Sequence, residues 1–351
     1  MDRGGYGSDA VSILGHLAAH TERIRLGTAI MQIPARPATT TAMAAATQDN
    51  LSEGRFTLGL GLSGPQVLEG WYGTAYGRQL QRTREYVEVV RMALARERVA
   101  FDGETIQLPL ADGPGKALKL TIGPVQERLP VFLASIGPRN VELTGEIADG
   151  WIPTFFSPEH VGLLSAPLRE GAERAGRDVA SIAVCPQVLM FIDDDIDVAR
   201  DAVRPALALY IGGMGSRAKN FYVDLMTRYG FREEARGIQD LYLAGRKEEA
   251  AAAIPSDLID MTSLVGPEDV VQEQLARYES VGVDTLIVVP MVQGAVAQGQ
   301  QITKLRSVGQ QRFDDAGPTD VHPTGAQVWE GFGRPPLTLR IQPACSGVGR
   351  V

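Results

Sequence analysis

The sequence predicts an α/β fold of parallel strands alternating with helices, and three observations lead there. Six segments of strand length carry apolar residues on both faces, the pattern of strands covered on both sides. Between them run stretches with a 3.6-residue apolar period or a recognisable helix cap. A chain of 351 residues, 44% hydrophobic and 22% charged, has enough apolar material for one large core or two modest ones. The alternation alone leaves open whether the sheet is doubly wound or closed into a barrel.

The first buried strand is predicted at Ile24 to Met31 (IRLGTAIM), followed by an alanine-rich helix over Thr39 to Arg55 that stops near Gly54. Phe56 to Leu62 is the next strand. After a polar loop, QLQRTREYVEVVRMALARE predicts an amphipathic helix with Tyr86, Val89, Val90 and Ala93 on one face. Residues 100–130 interrupt the alternation with short polar and apolar runs between Gly and Pro, the pattern of a hairpin insertion. LPVFLAS, PRNVELTGEIA and DGWIPTF then predict strand, helix and strand. SPEHVGLLSAPLREGAERAG predicts a helix with Ser157 as N-cap and Pro158 at its first position. IAVCPQVLMFI is a strand, and DDDIDVARDAVRPALALYI a helix whose acidic start suits its dipole. A helical insertion over residues 212–256, a helix at GPEDVVQEQLARYESVG and a strand at VDTLIVVP follow. From Met291 the composition turns polar and rich in Pro and Gly. The expectation is therefore a main domain over 1–290 and a poorly ordered tail over 291–351, with one short strand at PLTLRI.

Several function classes are disfavoured. A formal net charge of -8 supplies no general field for nucleic acid or an anionic membrane. No window approaches the ~18 apolar residues of a membrane span, and the N-terminal stretch lacks a basic segment followed by an apolar one, so a cytoplasmic location is expected. Cys185 and Cys345 show no paired or metal-ligand spacing and read as reduced thiols. His16, His20, His160 and His322 likewise lack ligand spacing, and no metal is expected.

Residues 59–64, GLGLSG, spell G-x-G-x-x-G. A dinucleotide loop needs its glycines in the turn after a strand, a helix beginning there, and an acidic residue about 20 positions on at the next strand end. Here Gly59 and Gly61 alternate with leucines inside the predicted strand, Pro65 follows the third glycine, and residues 80–85 are predicted helix. The match reads as accidental. Small residues at alternate strand positions instead let a flat ring or another backbone lie close, or relieve crowding inside a barrel. In either case the polar SGPQ falls at the carboxyl end of a parallel strand, where α/β folds place their sites. Thr28, Ala29 and Ile30 hold the equivalent place one strand earlier, and Ser135, Ile136, Gly137 and Pro138 one strand later. The last stretch runs straight into a helix, so its free amides suit a phosphate. An ordinary turn with Pro138 at the helix start fits these residues equally well.

The stretches TERIRLGTAIMQIPAR, LSEGRFTLGLGLSGPQVLEGWYG, GEIADGWIP and ALYIGGMGSRAKNFY occur in order, and together resemble the luciferase-like flavin and deazaflavin enzymes, in the branch that uses coenzyme F420. The resemblance covers roughly residues 5–290. It implies a TIM-like (β/α)8 barrel with insertions, an isoalloxazine-type ring at the carboxyl face, and hydride transfer between F420 and an unidentified small organic substrate. An FMN-dependent monooxygenase and a truncated, non-catalytic relic are the alternatives. The resemblance also implies a bulge with a non-prolyl cis peptide at Ala29 and Ile30 behind the ring, ring and ribityl contacts at Ser63, Gly64, Gln66 and Val67, and a phosphate-holding loop at Ser135, Ile136, Gly137 and Pro138. Counted against the family, the first strand here is its third and RGGYGSDA follows its second. Two strands and one helix are therefore expected to be absent, the closing helix after TLIVVP to be replaced by the tail, and the opened edge to be covered by the tail strand Leu337 to Ile341, by a partner subunit in a homo-oligomer, or by upstream residues. Arg3, Gly4 and Gly5 stand where family members often carry an acidic residue or histidine.

Four further positions or groups are chemical candidates. Tyr6 is placed to donate a proton or touch the ring, or simply to pack. Trp71 and Tyr72, in a Gly-bounded loop, suit the cover of an apolar substrate or a loop anchor. Arg217, Lys219 and Asn220 form a compact cluster in an acidic chain, readable as a clamp for an anionic coenzyme tail or as a solvated helix face.

Overall fold

The strand Phe56–Gly61, buried along its whole length, organises the first half of the chain in the computed structural model, which describes residues 9–315 and 338–341. Two units are distinguished. The first comprises the chain up to Ser135 together with Arg139–Ile152 and Leu168–Ile182; the second comprises Ile136–Pro138, Pro153–Pro167 and the chain from Ala183 onward.

The first unit runs α1 (Ala10–Ala19), β1 (Leu26–Gly27), β2 (Met31–Gln32), α2 (Ala38–Leu51), β3 (Phe56–Gly61), α3 (Pro65–Gly70), α4 (Gln79–Leu94), β4 (Phe101–Asp102), β5 (Gln107–Leu108), β6 (Val131–Leu133), α5 (Pro138–Ile147) and β7 (Gly150–Trp151). β1 and β2 both pair with β3, β3 pairs with β6 and β6 with β7, all in parallel. Small side chains decide how α2 packs: Ala42, Ala45 and Ala46 are completely buried in the same core as Leu58 and Leu60 of β3. The predicted face of α4, Tyr86, Val89, Val90 and Ala93, is buried in that core too. The insertion is the expected antiparallel hairpin, β4 against β5. It is fastened by the buried Glu85 of α4, whose carboxylate accepts the N–H groups of Glu104, Thr105 and Ile106 at 2.7, 2.7 and 2.9 Å, the Thr105 hydroxyl and the Gln81 amide. Burial pushes this carboxyl up, but the Thr105 hydroxyl, the Gln81 amide and the backbone donors outweigh it and hold the pKa at about 2.

After α6 (Val161–Arg174), the second unit runs β8 (Ala183–Val184), β9 (Gln187–Ile192), α7 (Ile196–Ala208), a π-helical turn at Leu209–Gly213, α8 (Phe221–Arg228), α9 (Arg232–Leu243), α10 (Lys247–Ala252), α11 (Ser256–Thr262), β10 (Ser263–Gly266), α12 (Glu268–Ser280), β11 (Thr285–Pro290), α13 (Ala295–Asp315) and β12 (Thr338–Ile341). Its parallel sheet has the order β10-β9-β11-β12. Asp195 caps α7 by accepting the Asp197 and Val198 N–H groups, as the acidic start implies.

Three expectations are corrected. The strand over Ile24 to Met31 is not continuous but breaks at Thr28–Ile30. The four-residue β10 was not anticipated, because Ser263–Gly266 is too short to show a period of its own. Most of all, the start of the supposed tail is the 21-residue helix α13, which stands where a closing helix was thought to be replaced. Few apolar residues mark it; it docks through Leu305 and Val308 and through Gln301, whose side-chain amide accepts the Ile192 N–H at 2.7 Å and donates to the Ile192 carbonyl at 3.0 Å. Ser157 precedes the helical segment but bonds Glu159 and His160 instead of a backbone N–H. β12 corresponds to the short strand expected at PLTLRI and lies parallel to β11. Cys185 is buried, whereas Tyr6, His322 and Cys345 lie outside the described residues. Among the described residues no helix is long and apolar enough to cross a membrane.

Candidate functional site

The break between β1 and β2 is a β-bulge, and the register shows it. Gly27 pairs with Thr57 and Met31 with Leu60, so four steps along one strand answer three along β3. Thr28 repairs the interrupted ladder with its side chain. Its hydroxyl accepts the Gly59 N–H at 2.9 Å and donates to the Gly59 carbonyl at 2.7 Å, standing in for a backbone peptide. The peptide bond between Ala29 and Ile30 is cis, at the position the family resemblance implies.

The two strand glycines serve this bulge. A Cβ at Gly59 would lie 2.0 Å from the Thr28 carbonyl oxygen, and one at Gly61 would lie 2.2 Å from Cδ1 of Ile30. Of the uses that alternate small residues suggest, close approach of the protein's own chain is what β3 provides at these glycines. Just beyond, Ser63 takes a left-handed φ of 64°, uncommon outside glycine, and turns the chain out of the sheet. A helix does begin promptly, since Gly64 precedes α3. The dinucleotide reading still fails, because Gly59 and Gly61 lie inside the strand and not in a turn. Within α3 Val67 is buried and Gln66 exposed. Trp71, at the C-terminus of α3, is 67% exposed, while the half-buried Tyr72 donates its N–H to the Val67 carbonyl.

β6 adds the third strand end. The Ala134 N–H donates to the Leu60 carbonyl at 2.8 Å, so the chain leaves the sheet beside β3. Ser135 is buried and occupied: its hydroxyl meets that of Thr144 at 2.8 Å, and its carbonyl accepts the Trp151 indole N–H at 3.0 Å. The first unit thus gathers Thr28–Ile30, Ser63 and Ser135 along the carboxyl edge of three neighbouring strands. The loop Ile136–Pro138 carries a different offer. A Cβ at Gly137 would meet nothing nearer than Cδ1 of Phe221 at 3.8 Å, so bare backbone is presented at the start of the ten-residue α5. Bare backbone ahead of a helix N-terminus is a setting in which an anion can be held by main-chain N–H groups.

In the second unit, Arg217 pairs with Asp240 at 2.9 Å, both well exposed. Lys219 closes a tight turn on Ser216 and holds its ammonium 5.9 Å from the Phe221 ring centroid. Asn220 differs from both. It is buried, its side-chain carbonyl accepts the Tyr222 and Val223 N–H groups as the N-cap of α8, and its amide donates to the Ile211 carbonyl at 2.6 Å. Sequence reasoning overlooked Phe155, Tyr210 and Tyr222, whose rings meet edge to face. Their spacing in the chain gives no signal; only the tyrosines flanking the G-rich turn at 212–215 hinted at it.

A parallel α/β sheet whose carboxyl edge carries a bulged strand is the architecture of luciferase-like, TIM-barrel-like enzymes, and the comparisons agree. The family model of luciferase-like monooxygenases matches residues 1–285. A Mycobacterium tuberculosis protein assigned as a coenzyme F420-dependent oxidoreductase is 43% identical over 290 residues, 81% of this chain and 84% of that one. The 5,10-methylenetetrahydromethanopterin reductase of Methanolobus tindarius is 26% identical over 283 residues, 80% of this chain and 81% of its own. Among solved structures, the coenzyme F420-dependent tetrahydromethanopterin reductase from Methanopyrus kandleri shares the fold, with a TM-score of 0.71 at 24% identity over 86% of each chain. The chain belongs to the luciferase-like monooxygenase family, in its F420-dependent oxidoreductase group.

Proposed function

We propose that this protein is an F420-dependent oxidoreductase that transfers a hydride between the deazaflavin and a small organic substrate. The observation that carries the proposal is the Thr28-pinned bulge at the carboxyl edge of β3. The 43% identity to the mycobacterial protein supports F420 as the cofactor. When bound, F420 supplies the hydride chemistry at its C5 carbon. The protein's part is to bind, orient and exclude water.

In this reading Thr28 fixes the bulge, and the backbone of Ala29 and Ile30 backs the ring. Ser63, Gly64, Gln66 and Val67 border the ring and ribityl chain. The amides of Ile136 and Gly137, with Ser135 and Pro138 shaping the loop, hold the phosphate. Arg217 and Lys219 attract the anionic tail, and Asn220 anchors the segment that carries them. Trp71 and Tyr72 shield an apolar substrate, and Tyr6 supplies or receives a proton. The test is equilibrium titration of the purified protein with F420 and, separately, with FMN, followed by absorbance and fluorescence. Tighter binding of F420 is the expected result. Preference for FMN would replace this reading with the flavin one, and binding of neither would refute both.

A further inference from the structure

Two backbone irregularities in the second unit converge on one cluster of rings. Phe155 takes a left-handed φ of 51°, a conformation that is strained for a bulky residue and concentrates at functional sites. Its carbonyl is held there by the Tyr229 hydroxyl at 2.8 Å. Tyr210 lies in the π-helical turn Leu209–Gly213, a widening of the helix that is itself frequent at functional sites. The turn is backed by Tyr242, whose side chain leaves no room for a Cβ at Gly212 or Gly213. Tyr222 completes the cluster from the first turn of α8, its backbone N–H bound to Asn220 at 2.9 Å.

The three rings form a triangle of edge-to-face contacts. Centroids are 5.3 Å apart for Phe155 and Tyr210, 5.8 Å for Phe155 and Tyr222, and 5.1 Å for Tyr210 and Tyr222. Such geometry is ordinary in a core. Here, however, Phe155 is buried while both tyrosines keep part of their surface accessible, and the Tyr222 hydroxyl has no hydrogen-bond partner among the described residues. Burial, and then the neighbouring Tyr210, push the Tyr222 phenol above its ordinary range. It therefore stays protonated and available as a donor, among apolar rings. Because the ring is only partly buried, a ligand can reach this hydroxyl and offer it an acceptor in place of water.

We propose that Phe155, Tyr210 and Tyr222 form a substrate wall for an uncharged, largely apolar molecule, whose carbonyl or hydroxyl oxygen accepts a hydrogen bond from the Tyr222 hydroxyl. Use of that oxygen in a redox step rests on the oxidoreductase reading above; the binding itself does not.

The test uses the full chain, with and without F420, its tyrosines labelled with carbon-13 at Cζ and followed by NMR. Tyr210→Phe and Tyr222→Phe identify two of the signals by their loss. Cyclohexanone is titrated as the probe and methylenecyclohexane as its oxygen-free counterpart. Cyclohexanone should shift the Tyr222 signal and bind about tenfold more tightly than methylenecyclohexane, and Tyr222→Phe should abolish that preference. Unchanged melting temperature in Tyr222→Phe shows that the loss is local. Equal affinity for both probes, or a preference that survives Tyr222→Phe, overturns the wall. A preserved preference in a protein that binds no F420 overturns the oxidoreductase reading alone.

Discussion

Thr28→Val is the sharpest perturbation of the bulge, because it keeps the shape of the side chain and removes only its hydroxyl. That hydroxyl is both acceptor for the Gly59 N–H and donor to the Gly59 carbonyl, at 2.9 and 2.7 Å. Thr28 is 4% exposed and Gly59 is buried, so water does not replace either bond. Each stranded backbone group costs about 1–3 kcal/mol, giving about 2–6 kcal/mol in all, with no cavity contribution because valine fills the same volume. Against a typical domain stability of about 5–15 kcal/mol the loss is readily measured. Guanidinium denaturation followed by tryptophan fluorescence should show a lowered midpoint for Thr28→Val and a near-normal one for Thr28→Ser. If the bulge backs the coenzyme ring, F420 affinity should fall in Thr28→Val and recover in Thr28→Ser. A Thr28→Val protein within about 0.5 kcal/mol of the parent would refute the assignment of Thr28 as the staple of the bulge.

Gly137→Ala should leave the melting temperature unchanged, since its Cβ has room, whereas Gly137→Asp should weaken F420 binding at least tenfold by placing a carboxylate at the phosphate cradle; equal titration curves for the Gly137→Asp variant and the parent would remove this loop from the site. Glu85→Gln should cost about 3 kcal/mol above pH 4.5, because the ordinary pKa of 4.5 is depressed to about 2 on folding. A depressed carboxyl stabilises above its unfolded pKa, so the gap between parent and variant in denaturation midpoints should close as pH falls from 4.5 towards 2, and a pH-independent gap would contradict the assignment. Arg217→Ala should alter stability by less than about 1 kcal/mol, its pair with Asp240 being exposed. If Arg217 and Lys219 attract the coenzyme tail, their alanine variants should weaken F420 more than a tail-less analogue, and less so in high salt; equal losses for both ligands would count against it.

The sequence made the buried strands and amphipathic helices legible because their signals are local. Tyr86, Val89, Val90 and Ala93 mark a helix face without reference to any other element, and they are buried as expected. The bulge is of another kind, since it is a mismatch between two strands and has no meaning until their partners are known. The family resemblance placed a bulge at Ala29 and Ile30, yet only the register with β3 reveals the extra residue. α13 escaped for a different reason. Its docking depends on a glutamine, Gln301, that bonds a neighbouring strand end, so a polar composition read as a tail belongs to a packed helix. Asn220 did carry a local signal, an Asn immediately before a helical run, but its neighbours Arg217 and Lys219 drew the reading towards charge.

Three polar residues that sequence reasoning set aside for ligands turn out to serve the chain itself. Thr28 bonds both backbone groups of Gly59, the Ser135 hydroxyl bonds Thr144, and Asn220 spends its whole amide on α8 and Ile211. Each is buried, each lies beside a backbone irregularity or a helix start, and each holds a short stretch of main chain in place: the bulge, the loop before α5, the turn before α8. If a cofactor is gripped at these places, the contacts therefore fall to main-chain groups that these side chains position, and not to the side chains. Substituting Thr28, Ser135 or Asn220 should then lower affinity only in proportion to local destabilisation, and binding and melting temperature should move together across a series of variants. Gly137 is the counter-case. Its backbone is bare and its side-chain space open, so affinity there can change while stability does not. The contrast between the two behaviours separates residues that shape the site from the chain atoms that form it.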